Sequence, residues 1–188
     1  GPPRRSRRDV GAGLGKKGRT PFATAYRSGE VAQWLRVDQN GSVPRLEFKG
    51  TAEDVPLARA LPLIFEGLRE SCHPLALLAR QGALRLLDEH PGAKDEVPEL
   101  LPQLVAPLRA ALADADDDVV RAALAVVAPV AALSKASLAP HLDRLLPPIA
   151  RKASGGKLSS AAMDALRNIE DACPDAARKI RAKLPAYR

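Results

Sequence analysis

The sequence predicts an all-α protein, an α-solenoid of about seven short helices preceded by a small β-hairpin and a basic arm. Three observations lead there. Apolar residues make up 46% of the 188 but aromatic ones only 3%, so the core must be built from Leu, Ala and Val, a composition that favours helices over sheets. From Thr51 onward the apolar residues recur at steps of three and four, the spacing of one helical face. The segments with that spacing are separated by short turns without convincing strands, which implies antiparallel helix neighbours.

Residues 1–20 hold Arg4, Arg5, Arg7, Arg8, Lys16, Lys17 and Arg19 against Asp9 alone. Of the formal net charge of +7, this arm therefore carries +6 and the remaining residues +1. Gly11, Gly13, Gly15 and Gly18 keep it pliable, and it has almost no large apolar side chain. It cannot offset its own ordering entropy and is expected to be disordered in isolation. A flexible basic arm suits an acidic surface, whether nucleic acid, anionic lipid or an acidic protein lattice. The bland alternative is a solubilising leader without a dedicated partner.

Residues 21–50 read as an extended segment with a short hairpin. Val31, Trp34, Leu35 and Val37 precede Asn40-Gly41, and Leu46 and Phe48 alternate with charged residues after it. Asn-Gly supplies the φ > 0 positions of a tight two-residue turn. So small a flap must lean on something larger. Residues 51–188 form the helical domain, with apolar stripes over roughly 56–70, 74–89, 97–112, 119–130, 138–152, 158–172 and 174–183. Breaks fall at His73-Pro74, His90-Pro91-Gly92, the aspartates of 114–118, Ser134 to Ser137 and Ser154-Gly155-Gly156.

A repeat is visible. Leu61 to Leu87 and Leu104 to Val130 share one plan: an apolar helix, a polar turn, then an Ala/Leu helix with an early arginine, Arg80 or Arg121. Leu145 to Ile169 is a looser third copy. The stretch from Leu108 through Asp114 and Arg121 to Leu124 resembles a HEAT repeat, and with it a HEAT/armadillo-like stack. That resemblance implies a turn aspartate capping the second helix and an arginine pairing with carboxylates in the stack. Pro62, Pro102, Pro107 and Pro129 fall inside helices and bend them. Each helix pair is too thin to hide its apolar face, so pairs must stack to make one core.

Catalytic, cofactor and metal chemistry find little support. Gly13-Leu-Gly15-Lys-Lys-Gly18 matches G-x-G-x-x-G but follows no strand and opens no apolar helix, as a dinucleotide site requires. A P-loop fails because Lys17 stands where Ser or Thr is needed. Asp114, Asp116 and Asp118 occupy the first positions of a calcium loop, but Val119 and Ala125 replace its glycine and its bidentate glutamate. They are expected as helix caps instead. Cys72, His73, His90, His141 and Cys173 show no ligand spacing. Cys72 lacks a base and is expected to be buried in a helix-to-helix turn. Two cysteines make no disulfide framework, which points to a reducing compartment. No N-terminal stretch reads as a secretory signal, and the longest uninterrupted apolar run, Ala122 to Leu133, is too short to cross a bilayer.

The order of several motifs carries a family resemblance. Phe22-x-x-x-Tyr26-x-x-Gly29-Glu30-Val31 is followed by the Asn40-Gly41 hairpin and by Leu61-Pro62-x-x-Phe65-x-Gly67-Leu68-x-Glu70. Then come Pro74, Ala79-Arg80-Gln81-Gly82 and Leu101-Pro102-Gln103-Leu104-x-x-Pro107-Leu108. Over about 21–188 this order resembles the parkin co-regulated protein family. The ending Lys179-Ile180-x-x-Lys183-Leu184-Pro185-x-Tyr187 and the acidic turn point to its parkin co-regulated-like branch.

The resemblance implies a helical, HEAT-like, non-catalytic and cofactor-free protein of the microtubule cytoskeleton in cilia and flagella, at the axoneme or basal body. The family's best-known member sits at the inner junction of the doublet, contacting tubulin on both sides and a small β-sandwich protein, with a basic N-terminal arm between protofilaments. Two departures concern the lattice position: the segment from Leu133 to Met163 is compact, and Trp34-Leu35-Arg36 replaces a proline-containing approach to the hairpin.

Tubulin is strongly acidic, so the seven arm cations are the expected contacts, with avidity from many lattice neighbours. Arg80 and Gln81 read either as a contact patch or as a structural helix start. The alternative function is a soluble HEAT-type adaptor that binds a partner on its concave face. Nucleic-acid binding through the arm is weaker still, because residues 1–20 contain no stacking aromatics; neither nucleic acid nor membrane is an expected partner.

Overall fold

The structure, a computed structural model, describes residues 20–188. Arg4, Arg5, Arg7, Arg8, Lys16, Lys17 and Arg19 lie outside the described residues. The chain is mostly helical, with one two-stranded antiparallel sheet near its N-terminal end.

A helix not expected from the sequence opens the fold: α1, Pro21–Arg27, where an extended segment was read. The Thr20 side chain caps it by accepting the Ala23 N–H at 3.1 Å, and Pro21 fits the first turn because it has no N–H to lose. At its far end Gly29 has φ +86, and Glu30 N–H donates back to the Ala25 carbonyl at 3.0 Å. Strands β1 (Leu35–Asp38) and β2 (Arg45–Phe48) pair in the register Leu35↔Phe48 to Asp38↔Arg45. The register places residues 39–44 in the connection, so Asn40-Gly41 does not form the tight turn. Gly41 does not take positive φ, and Asn40 N–H instead donates to Asp38 Oδ1 at 2.9 Å.

After Thr51 all seven expected helices are present: α2 (Leu57–Glu66), α3 (Leu75–Glu89), α4 (Ala93–Leu112), α5 (Asp117–Ser134), α6 (Leu142–Ala153), α7 (Ser159–Ala172) and α8 (Ala176–Lys183). Each consecutive pair α2/α3, α4/α5 and α6/α7 packs together, and so do helices two apart. The helices thus fall into two rows, α2–α4–α6–α8 and α3–α5–α7, with the apolar stripes buried between them. Prolines sit inside α2, α4, α5 and α6. One buried cluster runs from Phe22 to Tyr187, and both Trp34 and the inner face of the hairpin belong to it.

Asp117–Ala153 contains an eighteen-residue window of mean hydropathy 1.7, apolar enough by length and composition to cross a bilayer. A count of uninterrupted apolar residues overlooked it. Within this segment Val119, Val120, Ala123, Val126 and Val127 are buried where α5 packs against α3, α4 and α7, and 44% of the window is buried in all.

Candidate functional site

The motif residues of the N-terminal half converge on one corner, where α1 and the hairpin meet α2 and α3. Phe22 is fully buried, and its ring lies over Gly67. A Cβ at Gly67 would come within 2.5 Å of the ring and 2.9 Å of Ala79 Cβ, so only glycine permits this approach. Glu70 is 1% exposed and accepts the Thr20 hydroxyl at 2.6 Å. Arg80 Nη2 donates to the Glu70 carbonyl at 3.2 Å. The arginine expected to pair with carboxylates in the stack here secures the turn between α2 and α3. Arg121, its counterpart in the second copy, is exposed and forms no ion pair among the described residues.

Gln81 and Arg85 hold the hairpin on α3. Leu46 N–H donates to Gln81 Oε1 at 2.8 Å, and the Leu46 carbonyl accepts from Arg85 Nη1 at 2.8 Å. The rest of the Arg85 fork grips Glu89 at 2.6 and 2.9 Å, and the guanidinium lies 4.6 Å from the centre of the Phe48 ring. The hydrogen bond to Glu89 raises the Arg85 pKa and lowers that of Glu89. Gly82 lets the strands approach, with Leu35 and Leu46 side chains 3.3 and 3.5 Å from the position of its absent Cβ. Arg80 and Gln81, the two candidate contact residues, are thus occupied inside the molecule. Arg85 was not singled out from the sequence; its i,i+4 spacing to Glu89 was the available signal.

Of the three aspartates expected as caps, Asp116 is the N-cap of α5, Asp114 closes the turn before it, and Asp118 lies in the first turn of the helix. Asp116 N–H donates to Asp114 Oδ1 and Asp118 N–H to Asp116 Oδ1, each at 2.9 Å. His90 joins α3 to the turn before α2: its Nδ1 accepts Gly92 N–H and its Nε2 faces the Val55 carbonyl, both at 3.0 Å. Among the described residues no group of three His, Cys, Asp or Glu side chains is placed to hold a metal ion. Cys173 is buried, but Cys72 is exposed, against the expectation of burial: the turn before α3 lies on the surface. At the C-terminus Tyr187 is 3% exposed and donates its hydroxyl to Glu170 Oε2 at 2.6 Å. Burial first, and the Glu170 carboxylate second, push its pKa up to about 12.

Several shallow grooves open on the described residues, one of about 320 Å³ beside the hairpin and two more between neighbouring helices of the rows. Of the last two, one of about 340 Å³ lies between α5 and α7 and is lined by Ala128, Ala132, Lys135, Asn168, Asp171 and Ala172. The other, of about 390 Å³, lies between α6 and α8.

A family model for the parkin co-regulated protein matches residues 20–188, the whole of the described chain. The chain belongs to the parkin co-regulated protein family. A mouse protein named Parkin coregulated gene protein homolog is 33% identical over 93 residues, which is 50% of this chain. The match spans 36% of that relative's own length. In this member of the parkin co-regulated protein family, the quoted motif residues Phe22, Gly67, Glu70, Arg80 and Gln81 all contribute to the corner between α1, the hairpin and α3, and so build the fold.

Proposed function

We propose that this protein is a non-catalytic structural component of ciliary or flagellar microtubules, with the helical body as a rigid spacer and the basic arm gripping tubulin. The observation that carries the reading is the segregation of charge: a net +6 in residues 1–20, joined at Thr20 to a near-neutral helical body of the parkin co-regulated protein family, a pairing suited to an acidic protein lattice. The internal use of Arg80 and Gln81 moves the expected contacts away from that pair. Neighbouring helices two apart, in two rows, support reading the body as a HEAT-like solenoid. Neighbours at the inner junction, including a small β-sandwich protein, belong to the same proposal.

Co-sedimentation with stabilised microtubules tests it. The full chain is expected to pellet in a salt-sensitive manner, and removal of residues 1–20 to weaken both the binding and its salt dependence while leaving the helical circular dichroism unchanged. Full binding without the arm would refute the arm's role. A chain that stays in the supernatant under all salt conditions, yet is captured by a protein seated between α5 and α7, would favour the adaptor reading. The groove of about 340 Å³ on that face is the observation in its favour.

A further inference from the structure

The near-neutral charge of the body hides two stretches of opposite sign. Residues 20–133 carry eleven Lys and Arg against sixteen Asp and Glu, a net −5; residues 134–188 carry eleven against five, a net +6. The last fifty-five residues therefore match the N-terminal arm in net charge, on folded helices. The ion pairs there take up few of the cations. Lys152 faces Asp117 at 3.8 Å, Lys179 faces Asp143 at 3.0 Å, Arg181 faces Glu170 at 3.6 Å and Arg167 faces Asp164 at 2.9 Å. Among the described residues Arg144, Arg151, Arg178 and Lys183 form no ion pair.

Two of these unpaired cations share a groove. Arg151 from α6 and Lys183 from α8 line the open cleft of about 390 Å³, with Ser154 adding a hydroxyl and Pro147, Ala150 and Ala182 an apolar floor. Arg144 lies two helical turns before Arg151 on the same face of α6. The cleft is at the end of the row α2–α4–α6–α8, with no further helix beyond α8 among the described residues.

We propose that the α6–α8 groove is a second docking site, for an extended, glutamate-rich polypeptide segment, and that its source is the acidic tail exposed on the microtubule surface. Charge complementarity selects the occupant: Arg151 on one wall and Lys183 on the other, over a floor of Pro147, Ala150 and Ala182, suit a carboxylate-bearing segment. The proposal rests on the microtubule reading for the source of the segment, but not for the site itself.

The test uses the full chain. A fluorescently labelled oligo-glutamate peptide is titrated at low salt against wild type, against Arg151→Glu/Lys183→Glu, and against Lys94→Glu/Arg109→Glu, which changes net charge equally but on α4. Peptide affinity is expected to fall by about tenfold or more in the first pair and to stay near wild type in the second. Arg151→Gln/Lys183→Gln should lose part of the affinity, and it decides the matter if the charge reversals disturb the helical circular dichroism. Equal losses in both glutamate pairs, no loss in the α6–α8 pair, or tighter binding of duplex DNA at matched salt would each overturn the site. In co-sedimentation, protease removal of the tubulin tails should weaken wild type and leave the α6–α8 variant unchanged; wild-type binding indifferent to the tails overturns their assignment as the source. A chain that binds the peptide through this groove but never pellets with microtubules would keep the site, give the segment another source and remove the proposed function.

Discussion

Replacing Arg85 by alanine should loosen the hairpin on α3 while leaving the helices in place. The structure sets the size of the effect. The charged hydrogen bond to the Leu46 carbonyl at 2.8 Å contributes about 1.5 kcal/mol, the low end for a charged donor, because the side chain is 38% exposed. The Phe48 ring at 4.6 Å adds about 0.5 kcal/mol. The exposed pair with Glu89 adds about 0.3 kcal/mol. One guanidinium makes all three, so they do not simply add, and a net loss of about 2 kcal/mol is expected. For a domain of this size that lowers the Tm by about 4–8 °C. The assay pairs thermal unfolding with amide exchange: protection should fall first at Leu46 and at Lys49, whose N–H donates to the Trp34 carbonyl, while the α4 and α5 amides keep theirs. Arg85→Lys should recover only part, since an ammonium cannot serve the carbonyl, the carboxylate and the ring together. An unchanged Tm with unchanged hairpin protection would mean that Arg85 does not hold the hairpin.

Two further outcomes follow from the packing. Gly67→Ala forces its methyl into the Phe22 ring and should destabilise by about 1–3 kcal/mol, measured by denaturant unfolding; a neutral effect would mean that the ring can shift. Tyr187 has a folded pKa raised above its ordinary value, so its contribution is fully present below pH 10 and is lost as pH rises toward about 12. Tyr187→Phe should cost about 1 kcal/mol at neutral pH and flatten that alkaline loss, followed by the Tm as a function of pH.

The helices were legible because their signal is periodic and repeated. Leu100, Leu101, Leu104, Val105 and Leu108 announce α4 whatever its three prolines do, since packing of the apolar face supplies most helical stability. Helix α1 was missed because seven residues show barely two turns of periodicity; the readable signal was its cap, Thr20 followed by Pro21. Asn40-Gly41 misled for the opposite reason. It is a strong local turn signal, but the hairpin register is set by Leu35, Leu46 and Phe48 seated against α3, and the remaining residues become a longer loop. The proposed contact surfaces were legible only as charge. The arm stood out because its cations are clustered, whereas the cations of α6 and α8 are interleaved with apolar core positions and cancel against the acidic residues of 20–133 in any whole-body sum.

The placement of the prolines makes the two rows mechanically unequal. Pro62, Pro98, Pro102, Pro107, Pro147 and Pro148 all lie in α2, α4 and α6, while α3–α5–α7 contains Pro129 alone. Every such ring deletes one rung of the ladder that makes a helix resist bending. Under a lateral load the first row should therefore flex and the second hold its length, so the body would bow in one preferred plane like a bimetal strip.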